Sequence, residues 1–314
     1  MTSGPQLLEL FPEITTGSWV AIGNFDGVHL GHQTLIDHLI SGARQENQKS
    51  VIVTFHPHPK VALESISAPF YLTTLQEKQA LLQQLGLDLL VTLPFHPAIF
   101  NLSAQEFLQI LVTRLSAKHL VLGPDFAIGK GRQGTLSSLQ PFIQYLGLEV
   151  HVVEQSTLEG DLISSGVIRQ LLKEGDVSRA ARFLGRFYAL EGQVIQGKGL
   201  GSKLGFPTAN INVLEPLKIL PQYGVYASWA FVHGARYAAL TNVGFRPTFE
   251  ISGLPTIETL LLDFDDNIYG EDLKVEFVSH IRTEQKFSDL SALIDQINCD
   301  KKTAWRILTD AKKS

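Results

Sequence analysis

The first half of the chain alternates between short apolar runs and amphipathic stretches. Continuous apolar, β-branched runs are typical of strands that are buried on both faces of a parallel sheet. Between these runs, Thr74–Leu85 and Ser103–Leu115 each start at a capping hydroxyl and carry a glutamate three residues later, which predicts helices. This alternation predicts an α/β domain with right-handed crossovers and helices on both faces. The predicted strands are Trp19–Ile22, Val51–Phe55, Leu89–Leu93, His119–Leu122 and Leu148–Val153, with a further helix over Thr34–Ile40.

The pattern changes after Gly185, which ends a short predicted helix starting at about Asp176. Short strands separated by Gly, Pro and Asn follow, and they predict an antiparallel barrel or sandwich. Two closing helices are predicted, at Ser288–Ile297 and at about Lys301–Ala311. We therefore expect two domains, residues 1–185 and 186–314. The strands predicted for the second domain are Tyr188–Ile195, Tyr223–Val232, Tyr237–Val243, Ile257–Leu262 and Leu273–Phe277.

The composition of the chain argues against several classes of protein. Hydrophobic residues make up 44% of the 314 residues, enough for two cores, and the net charge of −5 argues against a nucleic-acid module. Cys299 is the only cysteine, so no intrachain disulfide forms and a reducing cytoplasm fits. No apolar run reaches the roughly 18 residues of a membrane span, and the N-terminus lacks the pattern of a leader. We expect a cytoplasmic enzyme that acts on small molecules, with neither nucleic acid nor membrane as partner.

The first candidate site follows the first predicted strand. Ligands of open α/β sheets bind beyond the carboxyl ends of the strands, where a glycine-rich turn and a helix N-terminus can hold phosphate groups. His29 and His32 flank the start of that helix, and two imidazoles beside free N–H groups suit a triphosphate. A zinc site is the alternative for this pair, but no other ligands lie at a proper spacing.

Two later segments add polar groups to the same domain. Ser164 and Ser165 precede a helical run, so their hydroxyls and N–H groups form a candidate anion site, and Arg169 could bind phosphate as a fork. A capping serine with a solvated arginine is the alternative. The segment Gly129–Gly134 fits G-x-G-x-x-G and suggests a dinucleotide-dependent dehydrogenase. That alternative is disfavoured because the preceding strand ends by Gly123, six residues too early.

The sequence G-N-F-D-G-V-H-L-G-H from Gly23 to His32 resembles the nucleotidyltransferase signature of bacterial bifunctional riboflavin kinase/FAD synthetases. The resemblance covers nearly the whole chain and includes residues 54–59, 123–129 and 163–169, where Gly166 replaces the usual threonine. It implies a Rossmann-like FMN adenylyltransferase domain, with His29, His32 and Arg169 in catalysis. The implied ATP-binding residues are Gly23, Phe25, Asp26, Gly27, His29, Gly31, His32, Asp125, Ser164, Ser165 and Arg169.

The second candidate site begins with a glycine-rich segment that ends at Pro207. Its glycines would let backbone amides surround phosphates. Thr208 and Asn210 are two residues apart in an extended segment, so they share a face and could hold Mg²⁺, although a Thr–Asn hydrogen bond in a turn is the alternative. The segment G-L-G-S-K-L-G-F-P-T-A-N resembles the riboflavin kinase motif. The ATP-binding residues implied for the kinase are Gly197, Lys198, Gly199, Gly201, Lys203, Gly205, Pro207, Thr208 and Asn210.

The same resemblance implies a C-terminal β-barrel with a flavin site. Glu258 is implied as the general base for the substrate hydroxyl, and Leu260 stands where the family has a histidine. The implied flavin-binding residues are Asn242, Glu258, Arg282, Glu284 and Phe287. No chemistry is assigned to His38, His96, His119, His151, His233, His280 or Cys299, which show no ligand spacing along the chain.

These observations predict two enzymes in one chain. The barrel would transfer the γ-phosphoryl group of ATP to the ribityl 5′-hydroxyl of riboflavin, which gives FMN. The α/β domain would then join FMN to the AMP part of a second ATP, which gives FAD and pyrophosphate. In the alternative hypothesis only one half is active and the other is a flavin- or nucleotide-binding regulatory module, with Gly166 and Leu260 as the hints.

Overall fold

The computed structural model describes residues 8–197, 201, 204–245 and 255–311. The chain forms two compact units, one that ends at Ser165 and one that begins at Gly166. The division into domains at residue 185 stays a prediction. No helix among the described residues is long and apolar enough to cross a bilayer.

The first unit contains the predicted parallel sheet. Its strands are β1 (Ser18–Ile22), β2 (Lys49–His56), β3 (Leu89–Pro94), β4 (Ala117–Leu122) and β7 (Glu149–Val152). All five predicted strands are confirmed within about two residues at their ends. The strand order is β3-β2-β1-β4-β7, and every neighbouring pair is parallel. Two small hairpins pair β5 (Ala127–Ile128) with β6 (Gly134–Thr135), and β8 (Thr157–Leu158) with β9 (Asp161–Leu162).

The helices of this unit begin where the sequence supplies caps. Thr74 accepts a hydrogen bond from the Glu77 N–H (3.1 Å) and its own N–H donates to the Glu77 carboxylate (2.9 Å). Such reciprocal capping satisfies N–H groups that have no partner within the helix. The helices are α1 (Leu30–Gln45), α2 (Pro59–Glu64), α3 (Leu75–Gln84), α4 (Pro97–Phe100), α5 (Ala104–Leu115) and α6 (Leu136–Tyr145).

Both faces of the sheet are buried. Along β1, Val20 packs into a core cluster with helices α5 and α6, while Trp19 and Ala21 pack into another with helix α1. Alternate strand residues point to opposite faces, so a strand covered by helices on both sides is apolar at most of its positions. This explains why the strands appear in the sequence as continuous apolar runs.

The second unit is built around a closed six-stranded barrel. Two short helices, α7 (Ser165–Lys173) and α8 (Val177–Leu184), precede it. The strands are β10 (Tyr188–Ile195), β11 (Ala209–Asn212), β12 (Gly224–Val232), β13 (Ala235–Phe245), β14 (Pro255–Leu261) and β15 (Asp272–Arg282). Their order is β10-β11-β14-β13-β12-β15, with antiparallel pairing throughout. The predicted barrel and its long strands are confirmed.

One helix closes the chain, α9 (Leu290–Ala311), and it packs on the outer face of the barrel. The prediction of two separate helices over this region was wrong. The expected break lay around Asp300, but Asp300 is buried within the helix and its carboxylate binds Arg282 of β15. A buried ion pair therefore keeps a charged residue inside a continuous helix, where the sequence pattern suggested a turn.

Candidate functional sites

The strand order places the first candidate site at the switch point of the parallel sheet. After β1 the chain builds β2 and β3 on one side, and β4 and β7 extend the sheet on the other side of β1. Loops that leave β1 and β4 therefore diverge at their carboxyl ends and open a crevice between them. The loop after β1 is the glycine-rich segment that ends at helix α1.

His29 and His32 meet at the start of helix α1. His29 is the N-cap, and its Nδ1 accepts a hydrogen bond from the backbone N–H of His32 (3.2 Å). The two rings stack with their centroids 3.6 Å apart. Burial, followed by the nearby His29 and Lys78, holds the pKa of His32 well below 6.5, so its ring is neutral at pH 7. The two imidazoles therefore lie together at the start of helix α1, as the sequence predicted.

Asp26 holds the loop in shape. Its buried carboxylate accepts hydrogen bonds from the backbone N–H groups of Leu72 and Thr73, each at 3.1 Å. The neighbouring Phe25 and Gly27 both have positive φ angles, 48° and 84°, and Phe25 is buried against the ring of His32. Asp26 therefore anchors a sharp turn that presents the two histidines, and its predicted contact with ATP stays a prediction.

The sequence analysis missed Lys78, a buried lysine at this loop. Its ammonium group donates to the backbone carbonyl of Asn24 (2.7 Å), and only 7% of the residue is exposed. Burial lowers the pKa of Lys78, and the Asp26 carboxylate opposes that shift. The sequence spacing could have indicated its burial, because Lys78 lies one helical turn before the buried Leu82 and so occupies the apolar face of α3.

Ser165 joins the same loop. Its hydroxyl donates to the backbone carbonyl of Asp26 (2.8 Å), and a Cβ built on Gly31 would lie 3.4 Å from the Ile163 carbonyl oxygen. The predicted serine segment therefore packs beside the start of α1, with Ser164 half-buried next to it. Arg169 follows one turn later on helix α7.

The remaining predicted groups of this unit lie around the loop after β4. Asp125 is exposed and accepts a hydrogen bond from the Gln155 side chain (2.5 Å). Within Gly129–Gly134, residues Lys130–Arg132 form a short 3₁₀ turn and Gly134 begins β6, while β4 ends at Leu122. The first glycine of the G-x-G-x-x-G pattern therefore does not end a strand of the sheet, which removes the basis for a dinucleotide fingerprint.

The flavin-binding residues predicted for the second unit come together at one cavity. Its volume is about 280 Å³, and it lies on the outer face of the barrel below the start of α9. Leu260, the departure from the family pattern, forms part of its apolar wall. All five predicted residues line the cavity: Asn242, Glu258, Arg282, Glu284 and Phe287.

A second cavity, of about 260 Å³, borders the first. It is lined by Pro207, Thr208 and residues 264–269, and Thr208 lines both cavities. Two glycines of the glycine-rich segment, Gly197 and Gly201, approach the side chains of Asn210 and Thr208. A Cβ built on Gly201 would lie 3.1 Å from the Thr208 hydroxyl, and one on Gly197 would lie 2.2 Å from the Asn210 amide nitrogen. A Cβ on Gly201 would also lie 2.4 Å from the backbone carbonyl oxygen of Phe206, so this position requires glycine. Gly205 has a φ of 82°, and Lys198, Gly199 and Lys203 lie outside the described residues.

The strand register places Glu258 between two asparagines. Glu258 of β14 pairs with Asn210 of β11 on one side and with Asn242 of β13 on the other. Residues directly opposite in neighbouring strands share a face, so the three polar side chains form one row on the cavity side of the barrel. Asn242 also donates to the Glu284 carboxylate (3.3 Å).

Arg282 is fixed by a partner that the sequence analysis did not identify. Its Nε and Nη2 lie 2.9 and 2.8 Å from one carboxylate oxygen of Asp300, and the Asp300 side chain is only 2% exposed. The guanidinium also lies 5.7 Å from the centre of the Phe287 ring. Asp300 thus positions Arg282 at the cavity wall. No sequence signal pointed to the pair, because 18 residues separate its members.

One cluster contradicts the sequence analysis. His119 and His151, to which no chemistry was assigned, lie together with Glu149, and one potential ligand atom from each falls within 4.8 Å of the others. The spacing of 32 residues between the histidines hides this, because adjacency of β4 and β7 is a property of the sheet.

Known proteins similar to this chain match both units. Residues 11–167 match the family model for FAD synthetase, and residues 184–308 match the model for riboflavin kinase. A bifunctional riboflavin kinase/FMN adenylyltransferase from Bacillus subtilis is 36% identical over 307 residues, covering 97% of this chain and 96% of the relative. The protein of the same description from Listeria monocytogenes is 36% identical over 295 residues, covering 92% and 93%.

A solved structure extends the comparison to the fold. A crystal structure described as a macrolide-efflux protein from Streptococcus pneumoniae is 31% identical, with a TM-score of 0.84 over 93% of this chain and 95% of the other. Its similarity covers both units. With two family models and full-length relatives in agreement, the chain belongs to the family of bifunctional riboflavin kinase/FMN adenylyltransferases.

Proposed function

We propose that the two activities of this family are divided between the two candidate sites, with riboflavin phosphorylation at the barrel and FMN adenylylation at the loop after β1. The observation that carries the proposal is the position of Thr208. It lines both barrel cavities, next to the row formed by Asn210, Glu258 and Asn242. Phosphoryl transfer needs a donor and an acceptor pocket that meet at one point, and the boundary at Thr208 supplies such a point.

In this proposal the larger cavity takes the isoalloxazine ring, and the cavity at Pro207–Ala209 takes the nucleotide. The larger cavity has apolar walls for a flat ring and polar groups at one edge, among them Asn242 and Glu284. Glu258 acts as the general base for the ribityl hydroxyl, because it lies in the row beside Thr208 and is half-buried. A positioned base contributes roughly 10²–10⁴-fold to such a step.

Thr208 and Asn210 fit a magnesium ion by their chemistry. Both offer neutral side-chain oxygens, and Mg²⁺ commonly combines a few protein oxygens with waters and substrate phosphates. Gly197 and Gly201 bring the backbone close to the Asn210 and Thr208 side chains, and we propose that the phosphates of the nucleotide bind beside them. When bound, the ion would neutralise charge on the transferred phosphoryl group.

For adenylylation, we propose that His29 and His32 donate hydrogen bonds to the phosphates of ATP. The Nδ1 of His29 accepts from the His32 N–H, so the His29 proton resides on Nε2. His32 is neutral, and the buried charge of Lys78 adds the positive potential that a neutral imidazole lacks. Donors that are already fixed in place stabilise charge developing in the transition state without reorganisation. Ser164, Ser165 and Arg169 are proposed as further phosphate contacts.

Glu258→Gln tests the kinase assignment in the full chain. The variant keeps the volume of the side chain but cannot accept the proton, so FMN formation from riboflavin and ATP is expected to fall about 10²–10⁴-fold. Riboflavin binding and the conversion of supplied FMN to FAD should stay at wild-type levels. Glu276→Gln is the matched control, because Glu276 lies on β15 beside Lys274 and outside the cavity lining. A Glu258→Gln variant that keeps turnover and loses flavin binding would assign Glu258 to binding instead.

The one-active-half alternative makes a different prediction. Incubation with riboflavin, ATP and Mg²⁺ should yield both FMN and FAD if both sites work. Accumulation of FMN alone, or FAD from supplied FMN alone, would identify the inactive half.

A further inference from the structure

A row of polar and aromatic side chains crosses the sheet of the first unit near the amino ends of its strands. Trp19 of β1 pairs in register with His119 of β4, and His119 pairs with Glu149 of β7. Residues opposite one another in a sheet share a face, and His151, two residues beyond Glu149, lies on that face as well. The neighbouring strands β4 and β7 therefore place two imidazoles and a carboxylate together, with Trp19 of β1 beside them. We call His119, Glu149 and His151 the histidine cluster.

The distances within the histidine cluster match those between ligands of one metal ion. His119 Nδ1 lies 3.1 Å from His151 Nε2, and these atoms lie 3.7 and 3.6 Å from the two carboxylate oxygens of Glu149. Ligands about 2.0–2.1 Å from a tetrahedral zinc ion lie roughly 3.3 Å from one another. The side chains thus need to move by only a few tenths of an ångström to reach such a geometry.

Glu46 orients the first of these ligands. Its carboxylate lies 2.8 Å from His119 Nε2, so it accepts the proton at that position and leaves a lone pair on Nδ1, which faces His151. The same carboxylate oxygen accepts hydrogen bonds from the Trp19 indole (3.4 Å) and the Gln48 side chain (2.9 Å). A carboxylate on the distal nitrogen of a histidine is the usual outer partner of a metal-bound imidazole.

His151 can supply the second lone pair. Its Nε2 lies 3.1 Å from His119 Nδ1, so both imidazole nitrogens can reach one ion between them. In this arrangement the Nε2–H of His151 donates to His119 Nδ1. In the other tautomer the proton of His151 is on its Nδ1, and Nε2 then has a lone pair that can bind the ion. The Trp19 ring stacks on both imidazoles, at centroid distances of 4.2 and 4.5 Å, and limits their rotation.

We propose that the histidine cluster binds one divalent transition-metal ion of the Zn²⁺ class, with Glu46 as a positioning residue. Two imidazoles and one carboxylate suit Zn²⁺, Co²⁺ or Ni²⁺, whereas Mg²⁺ prefers oxygen ligands and water. Glu149 is exposed, so the coordination positions that the protein leaves open face solvent. Two neighbouring strands of the sheet, β4 and β7, are joined through the ion.

This site is separate from the proposed adenylyltransferase site. His32 lies near the start of α1 and Gln45 at its end, thirteen residues later, which corresponds to about 20 Å along a helix. The proposal does not depend on either proposed activity, and Zn²⁺ binding itself is measured without substrate turnover.

Isothermal calorimetry on the full chain tests the proposal. The chain carries no affinity tag and no nucleotide, and Zn²⁺ is titrated into it in a buffer that contains excess Mg²⁺. We expect saturable binding of one Zn²⁺ per chain and a higher melting temperature with Zn²⁺. His119→Gln/His151→Gln should abolish this binding, and Glu46→Gln should weaken it about 10–100-fold. His233→Gln is the matched control, because His233 also lies near a carboxylate, Glu271 at 3.9 Å, but belongs to the barrel unit. It should bind Zn²⁺ like the wild type.

Two further measurements keep the result decisive. Adenylylation of supplied FMN by the double variant should match the wild type, which shows that the fold survives. Co²⁺ should give visible absorption bands of a low-coordinate histidine–carboxylate site in the wild type and in His233→Gln, but not in the double variant. Unchanged Zn²⁺ binding in the double variant, or competition by Mg²⁺ at equal concentration, would overturn the proposal, as would the absence of saturable binding in the wild type.

Discussion

Replacing Asp300 by asparagine tests how the barrel holds Arg282 at its cavity. Asp300→Asn keeps the shape of the side chain and removes its charge. The wild-type carboxylate is 2% exposed and lies 2.9 and 2.8 Å from two nitrogens of the guanidinium, which is itself about one-fifth exposed. Gln296 donates a third hydrogen bond to Asp300 (2.8 Å). The substitution leaves a mostly buried cation without its counter-charge.

The expected loss of stability follows from this burial. Removing one partner of a buried ion pair costs about 3–5 kcal/mol, because the remaining charge cannot be resolvated in place. The partial exposure of Arg282 argues for the lower end, about 3 kcal/mol of unfolding free energy. If Arg282 also hydrogen-bonds the flavin, its displacement costs one charged hydrogen bond, about 1.5–3 kcal/mol, or roughly 10–100-fold in FMN formation.

Urea unfolding in a Trp19→Phe background measures the stability term. Trp229 and Trp305 then report the barrel unit by fluorescence, because Trp19 is the only tryptophan of the first unit. Asp310→Asn is the matched control, since Asp310 is an exposed carboxylate at the end of helix α9. FMN formation is assayed in parallel, with FAD formation from supplied FMN as the internal reference.

A second variant separates positioning from folding. Arg282→Leu/Asp300→Leu removes both charges, so it should regain much of the lost stability while FMN formation stays low. Wild-type stability in Asp300→Asn, or full kinase activity in the double variant, would refute the reasoning that Asp300 acts through Arg282.

Three further predictions concern the two sites. His29→Ala/His32→Ala should raise the activation barrier of FAD formation by about 2.7–4 kcal/mol for each donor lost, and it should leave FMN formation intact. A near-normal rate of FAD synthesis in this variant would exclude both histidines from the site. Thr208→Ala and Asn210→Ala should each slow FMN formation and raise the Mg²⁺ concentration it requires, and an unchanged Mg²⁺ titration would contradict their role as ligands. Burial holds the pKa of His32 below 6.5, so below pH 6.5 the unfolded chain binds a proton before the folded chain does. Unfolding free energy should therefore fall with acidification by at most about 1.4 kcal/mol per pH unit for this group. His32→Gln should show a shallower slope between pH 6.5 and 5.5 in urea unfolding, and an identical slope would mean that another group is responsible.

The sequence alone determined the local elements and the two glycine-rich motifs. Runs of mostly apolar residues specified the five strands, because strands covered by helices bury most of their side chains. Thr74 and Ser103 specified helix starts, since a cap acts within one turn of chain. The motifs around His29 and Thr208 were also local, because phosphate-binding loops draw most of their groups from consecutive residues.

The tertiary structure decided what distant residues do together. Lys78 reaches the loop of His32 only because helix α3 packs there, and Asp300 meets Arg282 only because helix α9 continues across the barrel. His119 and His151 lie 32 residues apart and become neighbours through the pairing of β4 with β7. Side-chain chemistry depends on separations of about 3 Å in space, while a sequence pattern records separation along the chain, and in a sheet built from crossover connections the two are unrelated.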